Sequence, residues 1–254
     1  MSDKPARQEP WHALTQWTSA RIALGRVGSS IPTASLLEFN GDHALARDAI
    51  HMPLDTQALQ KRFAQEGFET VAVQSRAKER SEYLRRPDLG RLLHADCLEA
   101  LAHNEDSACD RLTVVVADGL SALAPDLHAL PLLKELKPSL IDWSLDTVII
   151  ATQARVALGD EIGQLRRAKA VLILLGERPG LKSFDSLGAY LTYEPRVGRM
   201  DAERNCVSNI RPAGLNYKQA AFKLLHLLNQ AHSLGATGIS LKDNSDPVRA
   251  LNTT

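Results

Sequence analysis

Short apolar runs alternate with amphipathic stretches from Thr70 onward. The clearest run is Ala170 to Leu175, which breaks into Gly176-Glu177-Arg178-Pro179-Gly180. A run so short and so aliphatic reads as a buried strand of a parallel sheet. The same reading predicts strands at 70–74, 112–117, 146–151, 169–175, 188–193 and 236–241. It predicts helices at 79–85, 87–103, 126–137, 158–167 and 216–234. The last is the best marked: Ala220, Ala221, Leu224, Leu227, Leu228, Ala231 and Leu234 share one face, and Gly235 follows as a stop. This alternation predicts an α/β fold, with helices over both faces of a parallel sheet.

The pattern upstream is helical. Thr33 is expected to cap a helix reaching Asp48, and Asp55 to cap a second that ends at Gln65 before Gly67. Residues 1–17 form a polar leader whose Trp11 and Trp17 are expected to pack, by preference on this chain's own core. The expected division is 1–66, a leader and helical region, and 67–254, the sheet domain.

Composition narrows the function. The 254 residues are 44% hydrophobic, enough for one large domain with a smaller helical partner. Thirty basic residues balance thirty acidic ones, which disfavours nucleic acid as a ligand. No apolar run approaches the roughly 18 residues that span a bilayer. The polar N-terminus lacks a secretory core. Three scattered cysteines, Cys97, Cys109 and Cys206, fit a reducing, cytoplasmic setting. The eight histidines show no metal-ligand spacing. Aromatic residues make up only 5%, as in a chain that completes its packing on a partner or a large cofactor.

Candidate chemistry gathers at strand ends. Open α/β sheets bind ligands just beyond the carboxyl ends of their strands. The 176–180 turn lies there, with Glu177 and Arg178 on a hinge stiffened by Pro179. Asp118 and Ser121 follow another apolar run, and either touch a ligand or cap the next helix. Arg155, Arg166 and Arg167 flank a further strand-to-helix turn, where they hold an anion or form a solvated helix face. Gly25-Arg26-Val27-Gly28 lacks the full dinucleotide fingerprint and reads as a turn. Cys206, beside Ser208 and Asn209, is a nucleophile only if a base activates it; packing against a ligand or a core is the favoured role.

Five motifs in order resemble the small (light) subunit of ethanolamine ammonia-lyase. They are Ala20 to Arg26, Tyr83 to Arg91, Ala117 to Ser121, Gly176 to Leu181 and Asp201 to Arg211. The resemblance runs from about Trp11 to Asp243. It implies an α/β fold of the Rossmann-like, doubly wound kind, with an N-terminal helical region. It implies an adenosylcobalamin enzyme that converts ethanolamine to acetaldehyde and ammonia. The substrate pocket is then on the large subunit, and cobalamin lies between the chains with its own base on cobalt. Asp126 to Pro131 agrees with that: it begins like the D-x-H-x-x-G motif, whose histidine replaces that base, but Pro131 stands in the glycine position. By motif match, Val156, Glu177 and Cys206 are the cobalamin contacts. No catalytic residue and no protein-ligated metal is expected on this chain. Six large–small pairs, and possible association with a bacterial microcompartment, follow from the resemblance alone. The alternatives are a stand-alone nucleotide- or flavin-binding domain and a thiol hydrolase using Cys206.

Overall fold

The computed structural model describes residues 9–18, 20–101 and 110–245. Seven strands form one sheet: β1 (Thr70–Gln74), β2 (Asp110–Ala117), β3 (Trp143–Leu145), β4 (Val148–Thr152), β5 (Ala170–Gly176), β6 (Leu187–Tyr193) and β7 (Asn205–Ile210). The helices are α1 (Thr33–His51), α2 (Thr56–Gln65), α3 (Arg80–Arg85), α4 (Leu98–Leu101), α5 (Leu123–Leu136), α6 (Leu158–Leu165) and α7 (Tyr217–Leu234).

The sheet runs in the order β1-β4-β2-β5-β6-β7. The strands from β1 to β5 are parallel, whereas β6 is antiparallel to both its neighbours. β3 pairs with the first residues of β2, and β4 with the last, so these two short strands share one place in the sheet. Alternate residues of the central strands feed two cores. Leu112, Val114, Val116, Ile150, Leu172 and Leu174 meet α2, α5 and α7 on one face. Val115, Ala117, Ile149, Ala151, Val171 and Ile173 meet α4 and α6 on the other. This is why the strands read as unbroken apolar runs.

Several expectations fail for local reasons. The stretch 87–103 is no single helix: Pro87 and Gly90 break it into 3-10 turns at Leu89–Arg91 and Ala95–Cys97, followed by α4. Residues 102 and 103 lie outside the described part, as does Cys109. Residues 236–241 form no strand, because Gly235 turns the chain at φ +72° into a 3-10 turn at Gly238–Ser240. The polar run 205–210 is instead the edge strand β7, with Val207 and Ile210 inward and most other side chains exposed. Pro32 occupies the cap position of α1, and Thr33 is its first helical residue. Asp55 caps α2 as expected, accepting from Ala58 N at 2.9 Å. Trp11 and Trp17 do not pack on the core; they are 67% and 81% exposed. Leu59 and Phe63 of α2 belong to the same core as the central strands.

Arg166 and Asp146 close the other end of the sheet. The Asp146 carboxylate accepts from Arg166 Nε at 2.8 Å and Nη2 at 2.5 Å, and from Thr113 Oγ1 at 3.1 Å. Burial works to raise its pKa, but the guanidinium and the neighbouring donors outweigh it and hold the carboxyl below its ordinary value. The stabilisation is then complete above the ordinary aspartate value of about 4. It is lost as pH falls through the lower folded value. Asp146→Asn is expected to cost about 3 kcal/mol at pH 7, and to flatten the acid limb of the stability curve below about pH 4. Urea titrations between those conditions check this, and an acid limb as steep as that of the wild type would contradict it.

Candidate functional site

The carboxyl ends of the parallel strands are bound together by one buried carboxylate. Asp118 follows β2 and is 2% exposed. Its oxygens accept from Gln153 N at 2.8 Å and Ala154 N at 3.1 Å, and face Arg80 Nη1 at 3.5 Å. Burial pushes its carboxyl above the ordinary value, against the pull of those backbone N–H groups and Arg80. Gln153 sits at φ +54°, a conformation that side chains disfavour. Asp118 holds its N–H, and Ser75 Oγ holds its carbonyl at 2.6 Å. The loops after β1, β2 and β4 are thus fixed to one another.

The loop after β5 is fixed to them by close backbone approach. Leu120 N donates to Gly176 O at 2.8 Å. A Cβ on Gly176 would lie 1.9 Å from Ser121 O, so no other residue fits there. Ser121 Oγ donates to Phe184 O at 2.8 Å. Asp118 and Ser121 therefore neither cap α5 nor offer themselves to a ligand; they brace loops.

The Tyr83–Arg91 motif has the same purpose. Tyr83 is fully buried and donates to Ala154 O at 3.1 Å. The Arg155 guanidinium lies 4.1 Å from the centroid of the Tyr83 ring, and Arg155 N donates to Gly90 O at 2.8 Å. Arg155 is thereby a bracing residue, and Arg166 is paired with Asp146. These two are neither anion ligands nor a solvated face. Val156 is left half-buried at the start of the α6 turn, packed against the α6-side core together with Tyr190.

Glu177 leaves β5 and crosses toward β7. Ser186 Oγ donates to its Oε2 at 2.5 Å, Asn209 N to the same oxygen at 3.2 Å, and Ser208 Oγ to its Oε1 at 2.6 Å. A carboxylate has roughly four acceptor places. The described residues fill three, and the open one is on Oε1. Gly188 makes the room, since a Cβ there would meet Glu177 Oε1 at 2.9 Å.

Cys206 lies opposite Tyr190 in the β6–β7 ladder, on the same face, and is exposed. Burial of its inner side raises the thiol pKa, and the Glu177 carboxylate raises it further, although a hydrogen bond with Tyr190 pulls the other way. Tyr190 is itself pushed up by burial and by these neighbours, so its phenol stays protonated. The site keeps the sulfur as a neutral thiol, not as a nucleophilic thiolate. Structure thus brings Glu177 and Cys206 together around Tyr190. Val156 packs against the same α6-side core as Tyr190.

A sequence model described as "Ethanolamine ammonia-lyase light chain (EutC)" matches residues 8–242. The chain belongs to that family. Proteins named ethanolamine ammonia-lyase small subunit align over nearly its full length. That of Azotobacter vinelandii is 50% identical, across 98% of this chain and 94% of the relative. That of Pseudomonas syringae pv. tomato is 48% identical, across 96% and 87%. That of Pseudomonas aeruginosa is 48% identical, across 99% and 94%.

Ser186, Tyr190, Ser208 and Asn209 were not singled out as site residues by sequence reasoning. Gly188, inside an apolar strand, was the available signal, because such a glycine marks close approach. His128 is not a free ligand: its Nδ1 lies 2.9 Å from Tyr217 Oη and its Nε2 3.2 Å from Asp185 Oδ2. That agrees with a structural reading of the Asp126–Pro131 segment.

Asp118→Ala strips the partner from Arg80 and from two backbone N–H groups. The expected loss is about 3 kcal/mol or more by urea denaturation. A loss under about 1 kcal/mol, the scale of an ordinary surface change, would refute the bracing role.

Proposed function

We propose that this chain is the small subunit of an adenosylcobalamin-dependent ethanolamine ammonia-lyase, and that it grips one side of the cofactor against a large catalytic subunit. The names of its relatives support the enzyme and the division into subunits. One observation carries the cofactor part: Glu177 is pinned by three donors with an acceptor place still open. The corrin rim bears primary amides, whose N–H groups suit that place. Cys206 adds a small, polarizable, unreactive surface, and Val156 an apolar one. These residue types fit the group.

Base-on adenosylcobalamin, when bound, supplies the radical chemistry that turns ethanolamine into acetaldehyde and ammonia. This chain's residues bind, orient and exclude water. The three donors orient Glu177 in advance, so binding pays little for ordering it. The loops braced by Asp118 hold Val156 at a fixed height above the sheet edge. A neutral Cys206 thiol presents no thiolate to the cofactor.

The same geometry disfavours the alternatives. A nucleotide's phosphates would seek free N–H groups at the β4–α6 turn. Gln153 N and Ala154 N already serve Asp118, and α6 opens with the acidic Asp160 and Glu161. A thiol hydrolase would need the thiolate that Glu177 and burial oppose at Cys206.

The chain alone is expected to show no ethanolamine deamination, and to restore it when mixed with a large subunit and adenosylcobalamin. Activity of the isolated chain would sink the division of labour. Glu177→Ala removes a charge-assisted bond worth about 1.5–3 kcal/mol, so cobalamin affinity of the complex should fall roughly tenfold or more. Equilibrium dialysis measures this, and unchanged affinity would overturn the assignment of Glu177.

A further inference from the structure

We infer that α1 is a docking strut for the large subunit, which covers the helix's outer face alongside the cofactor site. The inference rests on the reading that a large subunit closes over that site.

α1 is apolar on more than one side. Its buried residues are Ala46 and Ala49, toward the body of the chain. Its exposed positions include Ala34, Leu36, Leu37, Gly41, Ala44 and Leu45. Leu37 is 65% exposed and Leu45 49%. Large apolar side chains exposed together in this way are ordinarily covered by a partner. A 19-residue helix with so little packing is also marginal in water. The small residues Ala34, Gly41 and Ala44 let another backbone approach closely.

Position identifies the occupant. Near its start, Glu38 pairs with Lys182 Nζ at 2.8 Å, in the loop that leaves Glu177. Near its end, the Ile50 carbonyl accepts from Arg80 Nε at 2.7 Å, while the same guanidinium donates to Gly119 O at 2.8 Å. The helix therefore spans from the Glu177 loop to the Asp118 brace, along the edge that carries the proposed site. A chain that closes over that site meets α1 at once. A second copy of this chain seated there would stand where the large subunit has to close.

The test uses the co-expressed complex. Leu37→Glu with Leu45→Glu alters exposed positions only, and circular dichroism of the free chain reports that the fold is kept. The variant is expected to bind the large subunit at least tenfold more weakly by sedimentation. Amide exchange of the wild-type chain across 33–51 should slow at least tenfold on adding the large subunit, which gives a readout independent of the variant. Unchanged affinity or unchanged exchange would overturn the inference. So would a homodimer of the free chain that the substitutions abolish while large-subunit binding stays intact. Glu177→Ala separates the two ideas. If it leaves cobalamin affinity unchanged while the α1 variant disrupts assembly, the docking stands and the cofactor assignment falls.

Discussion

The Asp118 carboxylate is the constraint on which the sheet edge depends. Isolated, such a group would be costly to bury. Here it is fully engaged, by two backbone N–H groups and a guanidinium. Those partners come from the loop after β4 and from α3, while Asp118 itself follows β2. One side chain thereby sets the relative heights of three segments. It also holds Gln153 in a left-handed conformation that nothing local favours. The position is one where many α/β sheets leave N–H groups free for a ligand. With that position filled from within, the proposed binding surface lies to its side, at Glu177, Tyr190 and Cys206.

That displacement explains the character of the site. Its polar groups restrain one another more than they activate one another. Glu177 receives three donors, which fix its direction, and its charge opposes ionisation of Cys206. Tyr190 stands between them, held protonated by burial. A catalytic dyad is built the other way, with one group raising the reactivity of the next. An arrangement that suppresses reactivity and keeps acceptors in place fits the proposed holding role.

The parallel core was legible because burial on both faces leaves a continuous apolar signal, as in β2, β4 and β5. α2 and α7 were legible through a cap and a glycine stop. β7 was not, because an edge strand buries only one side and its exposed positions carry the residues of the site. β3 is three residues long, too short for any period to show. The antiparallel sense of β6 follows from a ten-residue connection after β5, whose length the sequence shows but whose route it does not. Glu177, Cys206 and Val156 entered through motif resemblance, and their mutual placement required the fold. Asp118 was visible as a polar residue at a strand end, yet its partners lie 35 and 36 positions away. No local pattern reports such a bond.

The two walls of the proposed site differ in how they are held. On the sheet side, Glu177 is tied by hydrogen bonds to β6–β7 and its loop is clamped where Gly119 meets Gly176. On the α1 side, the links described above are one exposed ion pair near one end and an arginine at the other. An exposed ion pair contributes little, about 0–1 kcal/mol. In the proposed site the hydrogen-bonded wall presents its acceptor at low entropic cost, while the α1 wall is the one that would adjust to the surface closing over it. A cofactor enclosed between two chains needs both properties, since a site rigid on every side would admit neither the cofactor nor the partner.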